Sequence, residues 1–308
     1  MIFDDYGRPV LNFRVSVTQR CNERCPYCHM EGELGNASTE MTREEIVRLT
    51  RVAVGLGVER VKLTGGEPLL RSDILQIVGG IAGLEGVKDL SMTTNGTLLA
   101  PVVEGLRRAG LDRVNVSVPS LIPGNFRRLT GGNLADAVSG VKGAVEAGLY
   151  PVKLNMLVLK GINEGEVFEM INFARFNGVV LQLIELEPLG ISDSFYSDHH
   201  YPLDGIEEKL EKQALEVRTR SDMQNRRIYF LPEVKVEVVN PIENTEFCAH
   251  CTRMRLTSDG KLKPCLMRNN NLVDLLTPLR NGAHDETLTD LFVKAVKSRK
   301  PYHKAAKM

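Results

Sequence analysis

The chain has 308 residues, 43% of them hydrophobic, enough to bury the core of one large α/β domain or of a barrel with an appended module, and a disordered tail protein is excluded. Lysine plus arginine and aspartate plus glutamate both number 39, so no global field draws in nucleic acid or an anionic membrane, and anion recognition must be local. No apolar run reaches the roughly 18 residues of a membrane span, and Met1 to Pro9 is polar and acidic rather than basic and then apolar, so a cytoplasmic location is expected.

From Phe13 to about Glu185, short β-branched runs alternate with longer amphipathic stretches, the pattern of β/α units with parallel strands. Six strands are expected, at Phe13–Thr18, Arg60–Leu63, Asp89–Thr93, Arg113–Ser117, Val152–Val158 and Val179–Ile184. Thr42 followed by Glu45 is a capping box ahead of Ile46, Leu49 and Val52, and Gly55 and Gly57 close that helix. Ser72-Asp73 opens the next helix. Others are expected over Leu98–Ala109, Leu134–Ala147 and Glu164–Phe176, with Gly110, Gly148 and Gly178 at their C-terminal ends. Six units are too few for a closed eight-stranded barrel. The expected fold class is therefore α/β, a partial (β/α)6 TIM-like barrel with its site at the C-terminal strand ends.

After Pro188 the pattern changes. Gly190 to Pro202 reads as loop, Leu203–Ala214 as a helix, and Arg227–Leu231 and Val234–Val239 as short strands. Thr252–Leu256 looks like another strand, and a helix over Glu286–Lys297 and a basic tail, Lys297 to Lys307, finish the chain. Two parts are expected: a barrel over residues 1–188 and a small α+β module over residues 189–308.

The six cysteines fall in two triplets, Cys21, Cys25 and Cys28, and Cys248, Cys251 and Cys265. Clustered cysteines in a chain without a secretion signal bind metal more often than they form disulfides. The first triplet follows the first strand, where a β/α fold presents ligands. Three thiolates can wrap a 4Fe-4S cubane and leave one iron open. Zinc is the alternative at both places, with His29 as a further ligand at the first triplet and His250 at the second. Arg253 and Arg255, on one face of the strand after Cys251, are either a solvated β face or a fork for phosphate oxygens.

The string Cys21-Asn22-Glu23-Arg24-Cys25-Pro26-Tyr27-Cys28 resembles the signature of the radical S-adenosylmethionine superfamily, including the aromatic before the third cysteine. Gly65-Gly66-Glu67-Pro68 resembles its glycine-rich motif, and Thr93-Thr94-Asn95-Gly96 and Ser117 end the next strands. The resemblance implies a partial barrel, a 4Fe-4S cluster whose open iron chelates S-adenosylmethionine, and a 5′-deoxyadenosyl radical. The second triplet, its C-x2-C-x13-C spacing and the Arg-x-Arg after it narrow the resemblance to the GTP 3′,8-cyclase family of molybdenum cofactor biosynthesis.

That resemblance implies two 4Fe-4S clusters, on Cys21, Cys25 and Cys28 and on Cys248, Cys251 and Cys265. It implies S-adenosylmethionine contacts at Tyr27, Gly66 and Ser117, and GTP contacts at Arg14, Lys62, Thr93, Lys153, Arg253, Met254 and Arg255. No residue is assigned as a catalytic acid or base. The implied partners are GTP, a reducing electron donor and a downstream cyclic pyranopterin monophosphate synthase, with a homodimer compatible. Lys62 stands where many bacterial members have arginine, Glu187 where they often have methionine, and the bacterial Gly-Gly tail is replaced by Ala305-Ala306-Lys307-Met308. The rival readings are a peptide-modifying radical enzyme, which usually has more cysteines after the barrel, and a non-catalytic zinc protein.

Overall fold

The computed structural model describes residues 1–33 and 39–302; the end of the expected basic tail lies outside the described residues. Six parallel strands form where the sequence places them: β1 Asn12–Ser16, β2 Arg60–Thr64, β3 Asp89–Thr94, β4 Arg113–Ser117, β5 Lys153–Val158 and β6 Val180–Glu185. Helix α1 (Arg43–Gly55) starts at the expected capping box. Thr42 Oγ1 accepts from the Glu45 N–H at 3.2 Å, and the Glu45 carboxylate accepts from the Thr42 N–H at 2.7 Å. Such a cap contributes about 1 kcal/mol. Ile46, Leu49, Val52 and Ala53 then bury one stripe of the helix against the sheet.

Helix α2 spans Ile74–Ala82, and α3 spans only Val103–Arg108. The expected helix from Leu98 is shorter because Pro101 removes a donor and residues before it form turns. A helix that the periodicity did not reveal, α4 (Pro123–Thr130), starts with proline in its first turn and stops at left-handed Gly131. Helices α5 (Leu134–Glu146) and α6 (Val167–Phe176) complete the expected alternation.

Beyond β6 come α7 (Asp193–His199), α8 (Asp204–Gln213), β7 (Glu216–Arg220), β8 (Arg226–Leu231) and β9 (Val234–Val239). Then follow α9 (Thr245–Ala249), β10 (Arg253–Leu256), β11 (Lys261–Lys263), β12 (Val273–Asp274), α10 (Leu276–Arg280) and α11 (Asp285–Lys297). The segment expected as loop contains α7, which buries none of its residues and so leaves no apolar stripe in the sequence.

Among the described residues all strands join one 12-stranded sheet in the order β12-β11-β10-β1-β2-β3-β4-β5-β6-β9-β8-β7. β10 pairs in parallel with β1, and β9 in parallel with β6, so residues after Pro188 extend both edges of the six-stranded barrel sheet. β11 and β8 then turn the edges antiparallel. The β/α period could not announce this, because β9 arrives by a hairpin and β10 after a helix of 5 residues.

Parallel strands covered on both faces normally read as continuous apolar runs. Here one face is polar. Asn12 and Arg14, Arg60, Lys62 and Thr64, Ser91 and Thr93, Arg113, Asn115 and Ser117, and Lys153 and Asn155 all line one cavity. The alternate residues, such as Phe13, Leu63, Met92, Val116 and Leu154, are fully buried in the hydrophobic core. Phe13 meets Phe292 of α11 with ring centroids 5.6 Å apart. The sheet thus packs on its helices and leaves its interior for a ligand. Among the described residues no helix is long and apolar enough to cross a membrane.

Candidate active site

The cavity has a volume of about 310 Å³ and is enclosed by the polar faces of the strands, with the loop after β1 at its rim. Cys21, Cys25 and Cys28 all line it. The reason the loop lies there is a close backbone approach. A Cβ at Gly65 would meet the Thr18 carbonyl oxygen at 2.2 Å, and one at Gly66 would meet that of Arg20 at 2.2 Å. The Gly66 N–H donates to Thr18 and the Glu67 N–H to Arg20, each at 2.8 Å. The glycines therefore seat the cysteine loop on the end of β2, and the Gly66 amide is already engaged.

Glu67 continues the same bracing. Its fully buried carboxylate accepts from Thr94 Oγ1 at 2.7 Å and from the Asn95 N–H at 2.8 Å. Asn95 in turn donates to Asn22 Oδ1 at 2.9 Å, next to Cys21. Tyr27 lines the cavity and packs against Leu129, Leu159 and Leu186, while Thr93 and Ser117 line it from the ends of β3 and β4.

The three thiols form no disulfide. Burial pushes Cys25 up to about 12, with Glu23 adding to it, and burial also raises Cys21 and Cys28. Such thiols stay protonated until a cation arrives, which is how a metal-ligating thiol behaves. The N–H groups of Glu23 and Met30 already point at the Cys21 and Cys28 sulfurs, both at 3.4 Å. Among the described residues no three Cys, His, Asp or Glu side chains converge on one point as a single ion requires. A cubane asks instead for thiols spread round a volume, each facing its own iron. Three thiols with amide donors on two sulfurs fit that group.

The floor of the cavity is cationic. The register aligns Arg14 with Arg255 of β10 on one side and Lys62 of β2 on the other. Lys153 pairs with Glu237, whose carboxylate also lies 3.4 Å from Arg226 and 3.6 Å from Arg220. Burial opposes ionisation of Glu237, but these cations outweigh it and hold its pKa well below the usual range. Arg113 makes a bidentate pair with Asp89 at 2.6 and 2.8 Å. Lys62 and Arg253 have no such partner among the described residues: Lys62 donates to neutral Asn115 at 2.8 Å, and the Arg253 side chain meets Met223 Sδ at 3.7 Å. Burial, reinforced by Arg113 and Arg14 for Lys62 and by Arg14 and Arg226 for Arg253, holds both well below their ordinary pKa. Arg255 Nε, 3.8 Å from the Glu31 carboxylate, is buried without a hydrogen bond among the described residues, so Lys62 and Arg253 are the cations left unpaired. Buried cations that lack anions mark where an anionic ligand would complete the charge balance.

Arg253 and Arg255 are 9% and 7% exposed, so the solvated β face is ruled out. Met254 lies between these two arginines on β10, and it is its side chain that the strand turns inward, to the core. It is fully buried in the hydrophobic core and does not line the cavity, because alternation along β10 turns it away from its two neighbours. Sequence reasoning missed Arg113, Arg226, Glu237 and Glu31. The polar alternation in strands that ought to be apolar was the available signal for Arg113.

The second triplet does not line this cavity; Leu266, next to Cys265, and Arg253, two residues beyond Cys251, do. Burial raises the Cys265 thiol, with Cys251 and Cys248 adding to it and the Met267 N–H and Arg255 opposing it. For Cys251 burial opposes ionisation, but Arg299, Arg253 and Arg255 outweigh it and lower the thiol.

A radical SAM superfamily model matches residues 15–174, and a molybdenum cofactor synthesis C model matches residues 179–305. A probable GTP 3′,8-cyclase of Thermococcus kodakarensis is 51% identical, covering 99% of this chain and 100% of the relative. One of Methanothermobacter marburgensis is 46% identical over 99% of both chains. Among solved structures, Streptococcus suis SuiB bound to S-adenosylmethionine superposes with a TM-score of 0.66 at 16% identity, over 91% of this chain and 68% of that one, a likeness of fold. The chain belongs to the radical SAM superfamily and, within it, to the GTP 3′,8-cyclase family.

Proposed function

We propose that this chain is a radical S-adenosylmethionine lyase that converts GTP to (8S)-3′,8-cyclo-7,8-dihydroguanosine 5′-triphosphate in molybdenum cofactor biosynthesis. The observation that carries the reading is the floor of buried cations, with Lys62 and Arg253 lacking a carboxylate, in the cavity whose rim holds three free thiols. A triphosphate is the ligand such a floor favours.

In this reading Cys21, Cys25 and Cys28 hold one 4Fe-4S cluster and Cys248, Cys251 and Cys265 a second. Residues 1–188 hold S-adenosylmethionine, and residues 189–308 supply the second cluster and the arginines of β10. When bound, the first cluster and S-adenosylmethionine would supply the radical chemistry that exchanges the C3′–H bond of GTP for a C3′–C8 bond, with an electron from the external reductant and a proton completing the 7,8-dihydro product.

The chain's own part is position. Arg14, Lys62, Arg253 and Arg255 fix the triphosphate, and Thr93 and Lys153 hold the nucleotide's near side. Tyr27, Gly66 and Ser117 frame S-adenosylmethionine at the rim. Holding the two reactants in one orientation is the main lever on a radical that reacts with any C–H bond it meets. The enclosing strands exclude water and competing hydrogen donors. An external reductant supplies the electron, the product passes to a cyclic pyranopterin monophosphate synthase, and the location is cytoplasmic.

The test is to incubate reduced, reconstituted protein with S-adenosylmethionine and GTP. 5′-Deoxyadenosine together with a cyclised purine nucleotide is expected; 5′-deoxyadenosine without any change in GTP would overturn the reading.

A further inference from the structure

The largest fully buried side chain among the described residues is an arginine, Arg299, 1% exposed. It lies just past α11, and its guanidinium reaches back to the start of the chain. Nη1 donates to the carbonyls of Arg8 at 3.1 Å and Pro9 at 3.4 Å, and Nη2 donates to the carbonyl of Cys251. Arg8 holds the other cysteine of the pair, with its Nη1 donating to the Cys248 carbonyl at 2.9 Å. Asp4 joins the two: its Oδ2 is 2.8 Å from Arg8 Nε and 3.3 Å from Arg299 Nη1. Asp4 Oδ1 is itself fixed by the N–H groups of Tyr6 and Arg8, both at 2.9 Å.

Two features make this more than packing. The Cys248–Cys251 segment is carried by α9, a helix of 5 residues, too short to hold a shape by its own hydrogen bonds. Its two cysteine carbonyls are instead fixed from both ends of the chain. The network also sets two buried guanidiniums against one buried carboxylate, an excess of one positive charge among the described residues. A buried cation requires a counter-charge nearby. The thiolates of a loaded triplet would provide it.

We propose that Asp4, Arg8 and Arg299 are positioning residues for the second cluster, clamping the Cys248 and Cys251 carbonyls so that their sulfurs present to it. The inference rests on the two-cluster reading above. Through it residues 4–8 and the segment just past α11 meet at one ligand loop.

The full-length chain and its Arg299→Gln, Arg299→Lys and Arg8→Gln variants would be reconstituted anaerobically. Iron and sulfide per chain, the electron paramagnetic resonance signals after reduction, and 5′-deoxyadenosine formation would be read together. Wild type should hold about eight irons. Arg299→Gln should fall to about four and lose one signal, while 5′-deoxyadenosine formation stays within about twofold, because the first triplet is untouched. Arg299→Lys should not rescue, since a lysine cannot span the same carbonyls. Arg8→Gln should show a smaller loss of the same kind, and it decides the matter alone if the Arg299 variants do not fold. Full iron and both signals unchanged in the variants, or equal loss from both sites, would overturn the clamp. A wild type that takes up only about four irons would sink the two-cluster reading, and the clamp with it.

Discussion

The two thiol triplets present the same donors in opposite fields. Around the first stand carboxylates: besides burial, Glu67 and Glu23 raise Cys21, Glu23 raises Cys25, and Glu31 raises Cys28. Around the second stand guanidiniums, and Arg299, Arg253 and Arg255 together pull Cys251 down against its burial. The ligands proposed for the two ends differ in sign in the same way. S-adenosylmethionine carries a sulfonium cation, and GTP carries a triphosphate. Field, rather than donor set, distinguishes the triplet proposed to serve the cofactor from the one proposed to serve the substrate.

The sharpest way to break that comparison is to remove one thiol from each end. Cys25→Ala should halve the iron from about eight to about four per chain and abolish 5′-deoxyadenosine formation with or without GTP. Cys265→Ser should halve the iron equally, yet retain cleavage of S-adenosylmethionine while losing the cyclised product. Chromatography of both products decides it. If the two variants behaved alike, the triplets would not have separate tasks.

A redox titration followed by electron paramagnetic resonance sharpens the comparison further. Cations stabilise the reduced, more negative cluster, and carboxylates disfavour it. The second site should therefore reduce first. Every 1.4 kcal/mol of extra stabilisation is worth roughly 59 mV for one electron, so a separation of several tens of millivolts is expected. Equal potentials, or the reverse order, would mean that solvent screens the field.

Arg253 tests the anionic end by affinity. A hydrogen bond to a charged group contributes about 1.5 to 3 kcal/mol, so Arg253→Ala should weaken GTP binding by about 10- to 150-fold. Guanosine should lose far less, and iron content should stay at the wild-type level. Equal losses for both ligands in a calorimetric titration would place the arginine against the base or ribose instead of the phosphates.

How far this was legible differs between the two ends. The first triplet, the glycine turn and β1 to β6 stand in the sequence because each is local: a spacing, a capping box, a strand bounded by turns. The bracing of that loop by Glu67 through Thr94 and Asn95 joins residues 27 and 28 positions apart. The motifs were visible, but not what they hold. At the other end the contacts span much more chain. β10 beside β1, and Arg299 on Arg8, join positions 240 or more apart, and no periodicity reports such pairing. Met254 shows the converse: a motif carried it into the nucleotide site, and the alternation of β10 puts it in the core.

Glu31 lies where the two fields meet, and replacing it gives the smallest effect expected. Its carboxylate accepts from Thr64 Oγ1 at 2.7 Å and from Arg14 Nη1 at 3.3 Å, and lies 3.8 Å from Arg255 Nε. Met30 and Glu31 take φ of 45° and 51°, a left-handed backbone that costs non-glycine residues about 1 kcal/mol or more each. That turn aims the carboxylate inward. Burial alone would raise its pKa, but Arg14, His29 and Arg255 outweigh burial and hold it at about 2. The unfolded value is about 4.3. Because the folded value is the lower one, its stabilisation is complete above the unfolded value and is lost as pH falls toward 2. Between pH 6 and 8 it is simply a fixed negative charge facing two of the arginines proposed for the triphosphate. Glu31→Gln should release Arg14 and Arg255 to the nucleotide and strengthen GTP binding a few-fold, about 1 kcal/mol. The gain should be the same at pH 6 and pH 8, and the variant should lose less stability than wild type between pH 5 and 2. Weaker GTP binding in the variant would mean that the carboxylate itself contacts the nucleotide, and that the boundary between the two fields runs elsewhere.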